Sequence, residues 1–496
     1  METLSIAELM QQSGVAFGTS GARGLSAAIT DRVAFAYTLA FLQHLKESRQ
    51  LETTVSAAAV AGDLRPSTPR IMAACLAAVQ HFGLTPENLG FIPSPAAAYY
   101  GIRRNVATIM VTGSHIPADR NGIKFNTALG EITKADEIGI RRQVVALPEN
   151  LFSQGGHFIH PSQPVPAHGL ARALYIERYL DAFPPGFLQG RNLAVYQHSA
   201  VGREILVEIY ERLGAKVFPV GLSNVFVPVD TEAIRSEDRI LAREWAAQEW
   251  LGKKLDAILS SDGDSDRPLV ADEQGNWLSG DVLGIMVAHY LRADAVVNPV
   301  SCSTALEKSG LFRLTKRTKI GSPYVIAAME ESIAAGARRV VGYEANGGFL
   351  LANELLLFPN CKPLPALPTR DAVITHLAIL GAAGKSGKKI SELRAELPAC
   401  YTASDRLQEF PSDLSRQIIA KLSSNNAAIT AAFTPAEYGS LEAIDLTDGL
   451  RMTFSSGAII HLRPSGNAPE FRCYVENCDD PAPLLRRVLA KMETWR

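Results

Sequence analysis

An α/β protein of several domains, with mostly parallel sheets, is what this sequence predicts, and three observations lead there. A chain of 496 residues exceeds what one hydrophobic core of ordinary size holds, so domains of about 100 to 150 residues each are expected. Short β-rich apolar runs alternate with stretches of helical periodicity, the pattern of repeated α/β units. Most of those runs end in polar loops containing Gly or Ser, and open α/β sheets bind their ligands beyond the carboxyl ends of their strands.

The clearest unit begins with an apolar run at 193–196, followed by Val201, Ile205, Leu206, Ile209 and Leu213 at helical spacing. Gly214 closes that helix, and a second run at 216–218 is limited by Pro219. Comparable runs lie at 55–61, 108–112, 257–260, 295–300 and 339–343. Polar, Pro-rich or Gly-rich stretches at 157–168, 272–281 and 381–389 read as linkers, which divides the chain into segments 1–165, 166–275, 276–390 and 391–496.

Charge and cysteine usage remove several function classes. Lys and Arg number 49 against 51 Asp and Glu, a net charge of -2, which disfavours a polyanion-binding surface and makes nucleic acid a poor partner. The six cysteines show no C-x-x-C pair or zinc-like spacing and read as thiols in a reducing compartment. The first residues carry no basic and apolar leader pattern, and no run of about 18 apolar residues occurs. A cytoplasmic protein without a membrane partner is the expectation.

Four loops carry the chemistry. In the first, Thr112-Gly113-Ser114-His115-Ile116-Pro117 follows a strand, with Lys124 a little further on. A serine there can act as a nucleophile whose proton transfers are assisted by His115 or Lys124. A Ser-His-Asp hydrolase is disfavoured, because adjacent residues rarely place the imidazole over the neighbouring hydroxyl and no G-x-S-x-G elbow is present.

The second loop is Asp262-Gly263-Asp264-Ser265-Asp266-Arg267. Three carboxylates two residues apart repel one another unless a hard divalent cation with oxygen ligands joins them. An EF-hand shares D-x-D-x-D, and Glu273 even falls at its twelfth position, but Arg267 stands where that loop needs its sixth-position glycine. The flanking strand and Pro268 also point instead to a compact metal loop on an α/β sheet, with magnesium the expected ion where phosphate is bound.

The third loop, 342–348, offers Glu344 and Asn346 to sugar hydroxyls, with Gly347 and Gly348 permitting close backbone approach. The fourth, Arg463-Pro464-Ser465-Gly466-Asn467, can form an anion-binding nest around Ser465, Gly466 and Asn467, with Arg463 and Arg472 as charged donors.

In this order and at these separations the four loops resemble the α-D-phosphohexomutase superfamily over nearly the whole chain. That family has a T-A-S-H-N-P serine loop, a D-G-D-G-D-R metal loop, a G-E-x-S-G sugar loop and an R-x-S-G-T-E-P phosphate loop. The segment at 17–24 looks like the family's N-terminal active-site segment and nominates Arg23; the segment at 317–322 nominates Lys319. Departures include Gly113 for the usual alanine, Ser265 for a usual glycine, and Gly348 where many bacterial phosphomannomutases carry histidine.

The resemblance implies three related α/β domains with mixed sheets and a smaller C-terminal α+β domain around a central cleft. It implies a mutase in which phosphorylated Ser114 exchanges its phosphoryl group with a hexose phosphate through a hexose 1,6-bisphosphate intermediate or activator. Mg2+ would be held by Ser114, Asp262, Asp264 and Asp266. Lys124, Arg23, His115 and Arg267 are the proton-handling candidates, and Glu344, Asn346 and Lys319 the sugar-binding ones. Arg463, Ser465, Gly466, Asn467 and Arg472 would grip the phosphate that is not reacting.

Segments 196–203 and 226–231 resemble bacterial phosphomannomutases, so mannose phosphate is the expected substrate, with glucose or glucosamine phosphate as alternatives. A sugar-phosphate binding protein without turnover, or a phosphatase, would share the same loops. A monomer or homodimer fits the sequence equally.

Overall fold

The computed structural model describes residues 2–18, 21–51, 56–465 and 469–496. Its chain forms four main sheets in sequence order. The first has seven strands, with Ala57–Gly62 lying between the edge strand Thr85–Phe91 and Ala107–Val111 and parallel to both. Arg120–Thr127 returns antiparallel to Ala107–Val111 and pairs in turn with Gly21–Leu25.

The second and third sheets share one plan. Asn192–His198 lies parallel to Lys216–Leu222 and Ala257–Ser261, and Pro268–Ala271 closes the edge antiparallel. In the same way Ala295–Pro299 lies parallel to Leu314–Thr318 and Val340–Tyr343, with Phe349–Leu351 antiparallel at the edge. The fourth sheet, from Tyr401–Leu407 to Phe471–Asn477, is antiparallel throughout.

The first three sheets are thus mixed, as the resemblance implies, and the reason lies in the loops. Residues 262–267 and 344–348 are tight connections between hydrogen-bonded neighbours, Ser261 opposite Pro268 and Tyr343 opposite Phe349. So short a connection returns the chain antiparallel; a parallel return needs a crossover of a dozen or more residues. Each loop is consequently held from both sides by a strand.

Two local expectations are corrected. Pro219 does not end its strand: Lys216–Leu222 continues through it, because it is the edge of its sheet and its missing N–H faces no partner. The stretch 381–389 is not a free linker, since the buried helix Ala372–Ser386 occupies its first half. That helix starts at Asp371, whose carboxylate accepts from Val373 N at 3.1 Å and pairs with Arg178 at 3.1 Å.

Apolar packing divides the molecule unevenly. One continuous cluster of buried side chains takes residues from the first three sheets, among them Met110, Val195, Leu259, Val296 and Tyr343. The fourth sheet has a separate cluster drawn from residues 407–492, including Phe410, Met452, Leu462 and Val488. The first three bodies are therefore welded by a shared core, whereas polar contacts help seat the fourth. Among the described residues no helix is long and apolar enough to cross a membrane.

Candidate active site

The serine loop and the metal loop meet. Ser114 is 1 % exposed, and its hydroxyl donates to Asp262 Oδ2 at 2.6 Å. Its backbone is left-handed, at φ 56°, an arrangement that costs a non-glycine residue roughly 1 kcal/mol or more and survives only where its surroundings impose it. Those surroundings are visible: Ser114 N donates to Thr112 Oγ1 at 2.7 Å, and the Ser114 carbonyl accepts from Arg65 Nη2 at 2.8 Å.

Arg65 is the clamp of this loop. Besides Ser114 it donates to the carbonyls of Ile116 (2.7 Å), Pro117 (2.7 Å) and Arg120 (3.2 Å), and its Nε donates to Asp63 Oδ2 at 3.1 Å. All five guanidinium N–H groups are thereby used. Phe226, from the second segment, covers the guanidinium with its ring centroid 4.0 Å away. A side chain at Gly113 would place its Cβ 2.7 Å from Arg65 Cζ, which accounts for glycine at that position here.

Asp262, Asp264 and Asp266 bring carboxylate oxygens within 4.8 Å of one another, all buried. Lys124 reaches Asp264 Oδ2 at 2.6 Å and Asp266 Oδ2 at 3.0 Å, and Ser94 donates to Asp264 Oδ2 at 2.6 Å. Arg267 lies 3.9 Å from Asp262 Oδ2 and 3.8 Å from Asp266 Oδ1. Burial and the neighbouring carboxylates Asp264 and Asp266 push Asp262 well above the usual carboxylate range. Burial also acts against ionised Asp264 and Asp266, but Lys124 at the first and Arg370 at the second outweigh it and hold both low.

Asp264 Oδ1 and Asp266 Oδ1 are buried and have no hydrogen-bond partner among the described residues. Buried carboxylate oxygens without a donor, converging with a third carboxylate, form a ligand set that a divalent cation would satisfy. The donor set, oxygen only, fits a hard divalent ion. Ser265 takes the left-handed conformation, φ 58°, that the family assigns to glycine; its hydroxyl compensates by accepting from Gly202 N at 2.9 Å and bonding Ser261 Oγ at 2.9 Å.

The sugar loop joins this centre through Arg370, which sequence reading did not single out. Arg370 Nε donates to Asp266 Oδ2 at 2.9 Å, while Nη1 donates to Glu344 Oε2 at 3.0 Å and to Ser322 Oγ at 3.1 Å. The aliphatic stem of Arg370 runs over Gly348: a Cβ there would lie 2.3 Å from Arg370 Cδ. Asn346 turns its Oδ1 to Gly348 N at 2.9 Å, so it shapes the loop as well as facing the cleft.

Around the centre, burial and the neighbouring Arg267 and Arg370 lower Arg23 to about 10, so it stays protonated at neutral pH. His115, whose Nδ1 lies 3.4 Å from Ser114 Oγ, is pushed well below its usual value by burial and by Arg267 and Arg23, and is neutral. Lys124 is held charged: burial disfavours its ammonium, and Asp264 and Asp266 more than compensate.

The phosphate loop is farther out. A cavity of about 630 Å3, lined by His115, Glu232, Arg406, Arg472 and Tyr474 among others, connects the serine loop to the fourth sheet. That volume suits a hexose phosphate. Arg472 donates to Glu470 at 3.1 Å, and Arg463 pairs with Asp448 at 2.9 Å. Ser465 is buried and its N–H bonds Glu470 O at 2.9 Å; Gly466 and Asn467 lie outside the described residues.

Lys319 is exposed, its ammonium 6.0 Å from the centroid of the Tyr324 ring. Glu232, an exposed residue that lines the same cavity and was not anticipated, is raised to about 7 by the protein groups crowding its carboxylate and by Asp230. Asp63-Leu64-Arg65 directly after an apolar run, and Arg370-Asp371 directly before one, were the available signals for the missed residues.

Comparison with known proteins agrees with this arrangement. Residues 14–150 match the model of phosphoglucomutase/phosphomannomutase α/β/α domain I, and residues 279–401 that of domain III. The chain is 42% identical to a phosphomannomutase of Salmonella muenchen over 98% of its own length and 97% of the relative's. It is 41% identical to a phosphomannomutase of Sinorhizobium fredii, covering 94% of this chain and 96% of the other. Its fold matches a crystal structure of a phosphoglucomutase/phosphomannomutase family protein from Burkholderia thailandensis with TM-score 0.71 at 18% identity, over 99% and 97% of the two chains.

Proposed function

The chain belongs to the phosphoglucomutase/phosphomannomutase family, and within it we propose a phosphomannomutase that interconverts mannose 1-phosphate and mannose 6-phosphate through phosphorylated Ser114. The observation that carries the reading is the Ser114 hydroxyl aimed at Asp262 Oδ2 at 2.6 Å, inside a cluster of carboxylates with unpartnered oxygens. The near-full-length likeness to two phosphomannomutases supports mannose over glucose or glucosamine.

Asp262, Asp264 and Asp266, with an oxygen on Ser114, would hold Mg2+. When bound, that ion offsets charge on the transferring phosphoryl group. In the forward step the Ser114 O–P bond breaks as a P–O bond to the free sugar hydroxyl forms; the sugar hydroxyl gives its proton to a protein base, and the released Ser114 oxygen takes up one proton to become a hydroxyl. Lys124, charged and anchored, and Arg23, protonated at neutral pH, supply positive charge beside the phosphoryl oxygens. His115 is neutral beside Ser114, but burial together with Arg267 and Arg23 makes it a weak base.

The resulting hexose 1,6-bisphosphate turns over in the cleft, and its other phosphate returns to Ser114. Glu344, steered by Arg370, and Asn346 meet sugar hydroxyls in either orientation, with Lys319 at the rim. Arg463, Ser465, Gly466, Asn467 and Arg472 grip the spectator phosphate, and Arg267 stands between the metal loop and the cleft. The domains are proposed to run 1–165, 166–275, 276–390 and 391–496; one main sheet within each range supports that division.

Measuring kcat/KM for mannose 1-phosphate, glucose 1-phosphate and glucosamine 1-phosphate tests the substrate. Mannose 1-phosphate is expected to be preferred, and a clear preference for either of the others overturns the assignment.

A further inference from the structure

Two acidic side chains of the fourth sheet reach across its seam with the rest of the molecule. Glu476 accepts from Thr304 N at 2.8 Å and lies 3.6 Å from Lys308 Nζ, beside the connecting residue Cys400. Asp448, in the turn between Leu441–Asp445 and Leu450–Phe454, faces the other way. Its Oδ2 lies 2.9 Å from Arg463 Nε and accepts from Ile320 N at 2.9 Å. Its own carbonyl meets His461 Nε2 at 2.6 Å, so the turn is pinned through main chain and side chain together.

Ile320 is one residue from Lys319 and two from Ser322, whose hydroxyl bonds Arg370 Nη1 at 3.1 Å. One carboxylate oxygen thus joins an arginine of the phosphate loop to the segment that borders the sugar loop. Among the described residues the fourth sheet shares no apolar cluster with the other three, so such polar contacts are able to govern how it seats.

We infer that Asp448 is a positioning residue: by forming an ion pair with Arg463 and accepting from the Ile320 N–H, it couples the seating of the fourth domain on the third to the placement of the Arg463 guanidinium toward substrate phosphate. The contact is an ion pair without hydrogen-bond alignment at Nε, so it sets where the guanidinium sits rather than the plane in which its N–H groups point. If the fourth domain swings away, the bond to Ile320 breaks and Asp448 no longer places Arg463 against the third domain. The inference rests on the reading of Arg463 as a phosphate-binding residue.

The test is steady-state kinetics with mannose 1-phosphate on Asp448→Ala, Asp448→Asn, Arg463→Ala and the Asp448→Ala/Arg463→Ala double variant, with Glu476→Gln as a seam control. Asp448→Ala is expected to raise KM about threefold or more, the scale of a partly exposed ion pair, with kcat changed much less. Asp448→Asn keeps an acceptor for Ile320, retains the turn if the alanine variant folds poorly, and is expected to fall between. The double variant is expected to be no worse than Arg463→Ala.

If Arg463→Ala raises KM while both Asp448 variants leave it unchanged, the positioning role is overturned and the reading of Arg463 stands. If Arg463→Ala itself leaves KM unchanged, the reading beneath it fails. An equal KM increase in Glu476→Gln would show that seating of the domain, and not the placement of Arg463, is what Asp448 provides, and would also overturn the inference.

Discussion

Ser114 and Asp262 are 148 residues apart in sequence, and the hydroxyl of one donates to a carboxylate oxygen of the other at 2.6 Å. Two sheets welded by one apolar cluster hold that contact, so Ser114 and the Asp262–Asp266 loop form a single rigid unit rather than two loops that must find each other. Rigid placement of this kind lets charge stabilisation act without reorganisation.

Removing the divalent ion tests that unit. Chelation is expected to abolish turnover, and added Mg2+ to restore it. Asp264→Asn, which keeps the shape and removes one charge, is expected to lower kcat by at least about a hundredfold, since a bound cation contributes several kcal/mol to such transition states. Calorimetric titration with Mg2+ should show weakened binding in that variant; full activity in the presence of chelator would contradict the assignment.

Arg65→Met is expected to be severe for a different reason. It leaves Asp63 buried without its cation and strips four carbonyls of the serine loop of their donor. Breaking a buried pair from one side costs about 3–5 kcal/mol, so denaturant unfolding should show a loss of that order. Activity should fall further than stability explains, because Ser114 then loses the support for its left-handed backbone.

Gly348→His places side-chain atoms where the stem of Arg370 already lies. The expected result is displacement of Arg370 from Asp266 and Glu344, and a fall in kcat/KM of about ten- to a thousandfold with little change in fold. Wild-type kinetics in that variant would show that the Arg370 bridge is dispensable.

The buried imidazole of His198 gives a pH signature. Burial lowers its pKa from 6.5 to about 4, so between those values the unfolded chain binds more protons and stability rises with pH. The contribution is complete above pH 6.5 and lost as pH falls toward 4, by up to about 3 kcal/mol. Thermal unfolding from pH 4 to 7 should show that slope, and His198→Gln should flatten it.

How much of this was legible depended on whether a residue's role was local. The Asp262–Asp266 loop declared itself because like charges at close spacing have few stable uses, and the strands at 257–261 and 295–299 because apolar runs bounded by polar turns have one. Arg65 and Arg370 did not, since an arginine's partners are set by tertiary neighbours: four loop carbonyls for one, Asp266 and Glu344 for the other. Pro219 misled for a related reason, because whether proline ends a strand depends on which edge of the sheet that strand occupies.

The central claim is that Ser114 carries the phosphoryl group, and intact-mass analysis of the protein after incubation with hexose 1,6-bisphosphate tests it most directly. The account predicts one phosphoryl adduct on the wild-type chain, discharged by mannose 1-phosphate or mannose 6-phosphate and absent from Ser114→Ala, which should also lack mutase activity. An unmodified wild-type chain that nevertheless turns over, or an adduct that persists in Ser114→Ala, would contradict it.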